Sequence, residues 1–170
     1  KKIKLMSNIK IKKIFKRNRL KLINVGRLTD KKNQILILKA ISFLKKKLNL
    51  QLIILGKGKN YNKLRDYISE NKLNNFVNLL GYKKNPYPYI KQSDIFILSS
   101  NYEGSPNVLI EAMFLKIPII STNCPTGPKE ILKNGKLGTL ININNSDNLI
   151  QALYKFNKKK KIWKFNSSTL

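Results

Sequence analysis

Apolar residues along this chain follow two alternating patterns. Short, nearly continuous apolar runs, such as residues 22–25, 52–55 and 95–98, are typical of strands buried on both faces of a parallel sheet. Longer segments between them, such as residues 34–48, place leucine and isoleucine about one helical turn apart and are typical of amphipathic helices. The other predicted elements are strands at residues 76–80, 118–121 and, more weakly, 139–141, and helices at residues 61–68 and 149–156. The alternation predicts an α/β fold with a parallel sheet and helices on both faces.

The loops that follow the predicted strands are the expected location of a ligand site. In open parallel sheets, ligands bind in the crevice beyond the carboxyl ends of the strands. The relevant loops follow Val25, Leu55, Leu80, Leu98 and Ser121. Glu103 lies in one of these loops, so we expect it to face the site.

The length of the chain and the extent of the periodic pattern predict one folded domain. The 170 residues suffice for a single hydrophobic core. We expect residues 1–19 to be an interdomain connector or N-terminal remnant, residues 20–157 to form the domain, and residues 158–170 to be a basic tail. Because the sequence begins with Lys1-Lys2 and has no signal-peptide pattern, we interpret it as a piece of a longer protein.

The chain is strongly basic, with 35 Lys and Arg against 8 Asp and Glu and a formal net charge of +27. Such a charge favours anionic partners, either nucleic acid or an anionic membrane surface. Nearly all of it comes from lysine, and asparagine and isoleucine are also abundant, so a general compositional bias explains the charge better than selection for nucleic acid. We therefore expect no specific nucleic-acid partner and leave a peripheral contact with anionic membrane open.

Several kinds of chemistry are excluded by composition. Histidine is absent, which removes Ser-His-Asp and Cys-His nucleophile systems and His-based metal sites within this chain. The single Cys124 permits no internal disulfide and favours a cytoplasmic location, which leaves open a position at the inner face of the cell membrane. No paired-aspartate or zinc-ligand spacing occurs, so we expect no metal and no other cofactor.

Two of the few acidic residues, Glu103 and Glu111, bracket a segment that carries the strongest functional signal. Glu111 lies within an apolar run of helical character, where an unpaired charge would be costly to bury, so we expect a polar partner for it. Ser105 and Pro106 predict a helix start near Ser105, with the serine as its cap. Free backbone amides at such a start bind phosphate, and the two carboxylates could accept hydrogen bonds from hydroxyl groups.

A glycine and two basic residues follow the first predicted strand. Gly26 allows the backbone to bend closely at the strand end, while Arg27 offers a planar fork and Lys32 a point charge. Both cations suit a diphosphate, although a basic pair near a glycine also arises easily by chance in so basic a chain.

The segment Gly56-Lys57-Gly58 begins like a dinucleotide-binding fingerprint. Tyr61 stands where the third glycine of that fingerprint would be, and no acidic residue follows at the expected distance. We therefore interpret these residues as a turn between a strand and a helix.

Taken in order, these pieces resemble a known family. The resemblance is carried by residues 24–28, Lys32, residues 80–82, residues 103–113 and residues 121–132. These pieces resemble the C-terminal, nucleotide-sugar-binding half of family 4 glycosyltransferases of the GT-B type, which have two Rossmann-like domains. The resemblance covers residues 20–157 and implies a Rossmann-like fold. The last piece is similar to the members that build bacterial surface or lipid-linked glycans, although Asn123 stands where an aspartate is expected.

The resemblance also implies a role for each matching residue. Arg27 and Lys32, beside Gly26, match the pair that binds the donor diphosphate, and Glu111 matches the carboxylate that holds the ribose hydroxyls. Glu103 matches the catalytic carboxylate beside the donor sugar, which we expect to act by positioning and charge stabilisation rather than as a covalent nucleophile. The residues implied to bind the donor through backbone amides are Gly104, Ser105, Pro106, Asn107 and Val108.

The leading hypothesis is the donor-binding half of a retaining, metal-independent glycosyltransferase. The donor would be a nucleotide-diphospho-sugar, in the first instance a UDP-sugar, and the acceptor a bacterial surface glycan such as lipopolysaccharide or a lipid-linked glycan. Because an N-terminal domain outside this sequence would hold the acceptor, we expect the chain by itself to be inactive. Two alternatives stay open: a GT-B nucleotide-sugar epimerase, and a non-catalytic basic module that binds membrane or nucleic acid.

Overall fold

Six apolar runs form the strands of a single sheet. A computed structural model describes residues 2–158 of the chain. Of the basic tail predicted at 158–170, Lys158 is the last residue of a helix and residues 159–170 lie outside the described residues. The strands are β1 (Leu20–Val25), β2 (Leu50–Leu55), β3 (Val77–Leu79), β4 (Ile95–Leu98), β5 (Ile119–Thr122) and β6 (Thr139–Ile141). Every position of β2, β4 and β5 is buried, as expected of strands covered on both faces.

All strand pairs are parallel, and the strand order is β3-β2-β1-β4-β5-β6. The chain winds outward from β1 to β3, then crosses back to place β4 on the other side of β1. The order of the strands therefore reverses between β1 and β4, where Leu22 is in register with Ile95. Loops that leave neighbouring strands at such a point run in opposite directions and leave a crevice between them.

Helices cover both faces of the sheet, which confirms the predicted fold class. The helices are α1 (Lys2–Ser7), α2 (Gln34–Leu44), α3 (Tyr61–Glu70), α4 (Tyr87–Lys91), α5 (Asn107–Phe114), α6 (Pro128–Ile131) and α7 (Ser146–Lys158). Side chains of α2, α3 and α7 share one core cluster with Leu22 and Leu52, and those of α4, α5 and α6 share the other with Ile23 and Ile53. Successive strand residues thus point into opposite layers. None of the helices that the structure describes is long and apolar enough to cross a membrane.

Helices α2 and α4 differ from the sequence-based expectation. The helix predicted at residues 34–48 ends at Leu44, and beyond it the amides of Lys47 and Leu48 both donate to the carbonyl of Leu44, at 2.8 and 2.9 Å. The short helix α4 was not predicted, since five residues that include two tyrosines and a proline carry no helical periodicity.

Residues 2–19 lie against the domain. Their helix α1 packs on α4, where the side-chain amide of Asn85 donates to the carbonyl of Met6 at 2.9 Å and the ammonium of Lys91 donates to Asn8 Oδ1 at 2.7 Å. Phe15 is buried in the core cluster beneath α4. The domain division at residue 20 stays a prediction, but this segment helps to place α4.

Two glycines allow the loop after β2 to lie directly on the loop after β1. A Cβ added to Gly56, whose φ is +154°, would lie 1.9 Å from the carbonyl oxygen of Gly26. A Cβ added to Gly58 would lie 2.4 Å from the carbonyl oxygen of Leu28. The turn predicted at Gly56-Lys57-Gly58 is therefore a close backbone contact between neighbouring strand ends.

We expect Gly56→Ala to lower the free energy of unfolding by about 2 kcal/mol or more, because backbone must move to admit the methyl group. Urea unfolding followed by tyrosine fluorescence measures this change. Gly104→Ala is the matched control, since a Cβ there meets nothing within 4 Å. Equal stability of the two variants would contradict the contact between the loops.

Candidate functional site

A cleft of about 910 Å³ lies at the carboxyl edge of the sheet, beside the point where the strand order reverses. The loops after β1, β2 and β3 form its walls, together with the start of α4 and one side chain of α5. The residues that line it are Val25, Gly26, Arg27, Leu55, Gly56, Lys57, Gly58, Tyr82, Lys83, Lys84, Pro86, Tyr87 and Glu111. Its size and position suit a small organic ligand.

The charged residues of this cleft are mostly cationic. Arg27, Lys57, Lys83 and Lys84 line it, against the single carboxylate of Glu111. The Arg27 side chain is exposed and makes no ion pair within residues 2–158, so its guanidinium fork is available to a ligand. A ligand with more than one negative charge and a group that donates hydrogen bonds would fit this arrangement.

Glu111 meets a tyrosine at the edge of the cleft. The Tyr87 hydroxyl, at the first residue of α4, donates to Glu111 Oε1 at 3.1 Å. This is the polar partner that the apolar surroundings of Glu111 predicted. Burial, and then the charge of Glu111, raise the pKa of Tyr87 above its ordinary value, so the phenol keeps its proton near neutral pH.

Lys32 and Glu103 form a partly buried ion pair beside the cleft. The Lys32 ammonium lies 2.6 and 2.7 Å from the two carboxylate oxygens of Glu103, and Ser100 Oγ donates to Oε1 at 2.6 Å. The Glu103 side chain is 6% exposed and that of Lys32 is 21% exposed. The stem of Lys32 passes Gly26, where an added Cβ would lie 3.9 Å from Cδ of the lysine. The pair is thus adjacent to the cleft wall at Gly26.

The loop after β5 holds the segment that contains Glu103. Thr126 Oγ1 donates to the carbonyl of Glu103, and a Cβ added to Gly127, at φ +87°, would lie 2.6 Å from the carbonyl oxygen of Gly104. The Cys124 thiol is buried at the same place. Burial, and then the negative charge of Glu103, raise its pKa, which keeps it in the unreactive thiol form.

The helix after Glu103 begins later than the sequence predicted. α5 starts at Asn107, Pro106 precedes it with a ψ of 84°, and no side-chain capping bond forms there. The amide of Asn107 donates to the carbonyl of Ser105 at 2.9 Å, and Pro106 has no amide hydrogen. We attribute the shift to the close packing of Gly127 on residues 104–106. The backbone amides of Gly104, Ser105 and Val108 remain for the predicted binding of the donor.

The structure therefore brings some predicted residues together and separates others. Gly26, Arg27 and Glu111 line one cleft, whereas Lys32 and Glu103 engage each other next to it. The segment from Gly104 to Val108 follows this pair and is not among the residues that line the cleft. Their roles toward a ligand stay predictions.

Sequence reasoning missed several cleft residues. Lys57, Lys83, Lys84 and Tyr87 come from three separate loops or helix starts, and none stands in a motif that indicates chemistry. The one available signal was position, because Lys57 and Lys83 each follow shortly after a strand predicted from its apolar run.

A parallel sheet with this strand order and helices on both faces defines the Rossmann-like class of α/β domains. Within that class, the chain belongs to the glycosyl transferases group 1 family, whose model matches residues 6–165. The resemblance to GT-B glycosyltransferases is thereby confirmed.

Two relatives and one solved structure illustrate this similarity. The chain is 34% identical over 132 residues to N-acetylgalactosamine-N,N'-diacetylbacillosaminyl-diphospho-undecaprenol 4-alpha-N-acetylgalactosaminyltransferase of Campylobacter jejuni, which covers 78% of this chain and 36% of the relative. It is 33% identical over 144 residues to UDP-Gal:alpha-D-GlcNAc-diphosphoundecaprenol alpha-1,3-galactosyltransferase of Escherichia coli. This similarity covers 82% of this chain and 37% of the relative. The crystal structure of Anabaena HepE in complex with UDP-glucose superposes with a TM-score of 0.79 at 21% identity, over 85% of this chain and 40% of that one. The chain thus spans well under half the length of these proteins.

Removal of Lys32 should show how much its ion pair with Glu103 contributes to the free energy of unfolding. We expect Lys32→Met to lower the free energy of unfolding by about 3 kcal/mol at neutral pH, because it leaves the Glu103 carboxylate without its cation. The double variant Lys32→Met with Glu103→Gln should recover a large part of this loss, since no buried charge then remains. Urea unfolding of each variant measures both effects.

The matched control is Lys59→Met, which breaks an ion pair with Asp30 whose side chains are 70% and 60% exposed. It should change stability little, because water screens such pairs. A Lys32→Met variant as stable as the Lys59→Met variant would contradict the importance of the buried pair.

Proposed function

We propose that this chain is the donor-binding half of a retaining glycosyltransferase that uses a UDP-sugar. The observation that carries the proposal is the convergence of Arg27, three lysines and Glu111 on one cleft at the carboxyl edge of the sheet. A nucleotide-diphospho-sugar presents the two kinds of group that such a cleft accepts, namely a diphosphate and the hydroxyls of a ribose and a hexose.

The cations of the cleft would bind the diphosphate. Arg27 can form two parallel hydrogen bonds to phosphate oxygens, and Lys57, Lys83 and Lys84 add charge around it. Charge develops on the departing diphosphate during sugar transfer, so fixed cations there stabilise the transition state. We propose that these side chains supply that stabilisation and that transfer does not require a metal ion.

Glu111 would hold the ribose. Tyr87 occupies only one of its carboxylate oxygens, Oε1, so Oε2 can accept a hydrogen bond from a ribose hydroxyl. With a protein donor on one oxygen and a ligand hydroxyl on the other, both oxygens of the carboxylate would have a hydrogen-bond partner after the cleft closes.

Glu103 and Lys32 would lie at the sugar end of the donor. The pair is next to Gly26, and Gly26 adjoins Arg27 in the cleft wall. Lys32 could share its ammonium between Glu103 and a donor phosphate, while Glu103 remains a fixed negative charge near the reacting sugar. A carboxylate held by Ser100 and Lys32 is suited to positioning and charge stabilisation.

The comparisons support the finer features of the proposal. The name of the Escherichia coli relative contains UDP-Gal, and HepE was solved with UDP-glucose. Both curated relatives named above act on diphosphoundecaprenol-linked glycans by name. We propose a UDP-sugar donor and a bacterial surface-glycan or lipid-linked acceptor, met at the cytoplasmic face of the membrane. The acceptor would be bound by the remainder of a longer protein, so the chain alone would transfer sugar poorly.

Titration calorimetry of the chain with UDP and with UDP-hexoses tests the donor site. We expect micromolar to millimolar binding that Arg27→Ala and Glu111→Ala each weaken by roughly tenfold or more, because each removes charge-assisted hydrogen bonds. Arg65→Ala and Glu70→Ala are matched controls, since both residues are exposed on α3, away from the cleft.

Unchanged binding in both Arg27→Ala and Glu111→Ala would contradict the site, and so would equal weakening in all four variants. A basic module would behave differently from a donor site. It would bind DNA or anionic vesicles with a steep salt dependence and would not respond to Glu111→Ala.

A further inference from the structure

We propose that Tyr87 is a positioning residue that fixes Glu111 for the ribose and thereby makes the site discriminate ribose from deoxyribose. The inference rests on the proposed function, because it concerns the same cleft. It adds a residue to which neither the sequence pattern nor the comparisons assign a role.

The contact between the two side chains is specific to this pair. The Tyr87 hydroxyl donates to Glu111 Oε1 at 3.1 Å, and Glu111 forms no salt bridge within residues 2–158. Both residues are half-buried and both line the cleft. The phenol is therefore the group that determines which way the carboxylate faces, although cations lie in the same cleft.

The carboxylate would otherwise be free to rotate toward those cations. Lys83 and Lys84 line the same cleft, and an ion pair with either would turn Glu111 away from a hydroxyl ligand. A hydrogen bond to Oε1 restricts the rotation of the carboxylate and leaves Oε2 to accept from the ligand. Such preorganisation raises affinity because less conformational freedom is lost on binding.

Tyr87 is itself anchored from behind by the amino-terminal segment. Asn85 Oδ1 accepts from the Tyr87 amide at 3.3 Å, while the Asn85 side-chain amide donates to the carbonyl of Met6 at 2.9 Å. At the other end of α4, Gln92 Oε1 accepts from the amide of Ile14 at 3.2 Å. These bonds fix both ends of α4, so the phenol is presented from a rigid support rather than from a loose loop.

The protonation of the phenol suits this role. Burial and the neighbouring carboxylate raise the pKa of Tyr87, so the hydroxyl remains a donor throughout the neutral range. The phenol is therefore available as a donor to Glu111 in binding experiments at neutral pH.

The test is Tyr87→Phe, which removes the hydroxyl and keeps the ring. Calorimetry with UDP and with 2′,3′-dideoxyuridine diphosphate gives two dissociation constants. The quantity compared between variants is the constant for the dideoxy ligand divided by the constant for UDP. In the original chain we expect tighter binding of UDP, and in Tyr87→Phe we expect this ratio to fall by roughly threefold to tenfold, as for one charge-assisted hydrogen bond. A merely structural role would weaken both ligands equally and leave the ratio unchanged.

Tyr89→Phe is the matched control, because it makes the same change on the same helix at a residue that does not line the cleft. It should leave the ratio as in the original chain. Glu111→Gln should lower the ratio, and adding Tyr87→Phe to it should lower the ratio no further, since both act through one contact.

The outcomes separate this inference from the proposed function. An original chain that binds neither UDP nor a UDP-hexose would overturn the proposed function itself. A chain that binds UDP with ribose discrimination, and keeps that discrimination in Tyr87→Phe, would overturn the role of Tyr87 alone. Circular dichroism and thermal unfolding of Tyr87→Phe would identify a variant that fails to fold, and Tyr87→His would then replace it with a shorter donor.

Discussion

The parallel pairing of β1 with β4 is the constraint on which the rest of this structure depends. The two strands are adjacent in the sheet but far apart in sequence, and the loops that leave them are joined by hydrogen bonds. Ser99 Oγ donates to the carbonyl of Lys32 at 2.8 Å, and the amide of Asn101 donates to the carbonyl of Lys31 at 2.9 Å. These bonds fasten one side of the crevice, so the open cleft lies on the other side, toward β2, β3 and α4.

Charge is distributed unevenly around that crevice. The formal net charge of +27 by itself says little about a ligand. Lys32 is neutralised by Glu103, whereas Arg27 and the three lysines of the cleft face Glu111 alone. A local excess of positive charge in a concave site attracts an anionic ligand more specifically than a uniformly basic surface does.

Close backbone packing makes this arrangement rigid. Gly56 and Gly58 let the loop after β2 touch the loop after β1, and Gly127 lets the loop after β5 touch Gly104. Side chains at these three positions would separate the loops that carry Arg27 and Glu103. The glycines therefore support the site indirectly, because they allow the backbones of two pairs of loops to lie in contact.

The sequence by itself determined the strands, their parallel arrangement and the segment between Glu103 and Glu111, because apolar periodicity and local turn residues are properties of neighbouring positions. Its prediction of Ser105 as the cap of α5 was wrong by one residue, since the packing of Gly127 on Gly104 is a contact between distant parts of the chain. Only the tertiary structure decided which side chains contact each other in the site. Lys32 meets Glu103 across 71 positions and Tyr87 meets Glu111 across 24, distances over which no sequence pattern specifies a contact. Lys57, Lys83 and Lys84 likewise become neighbours only because parallel strands end at one edge of the sheet.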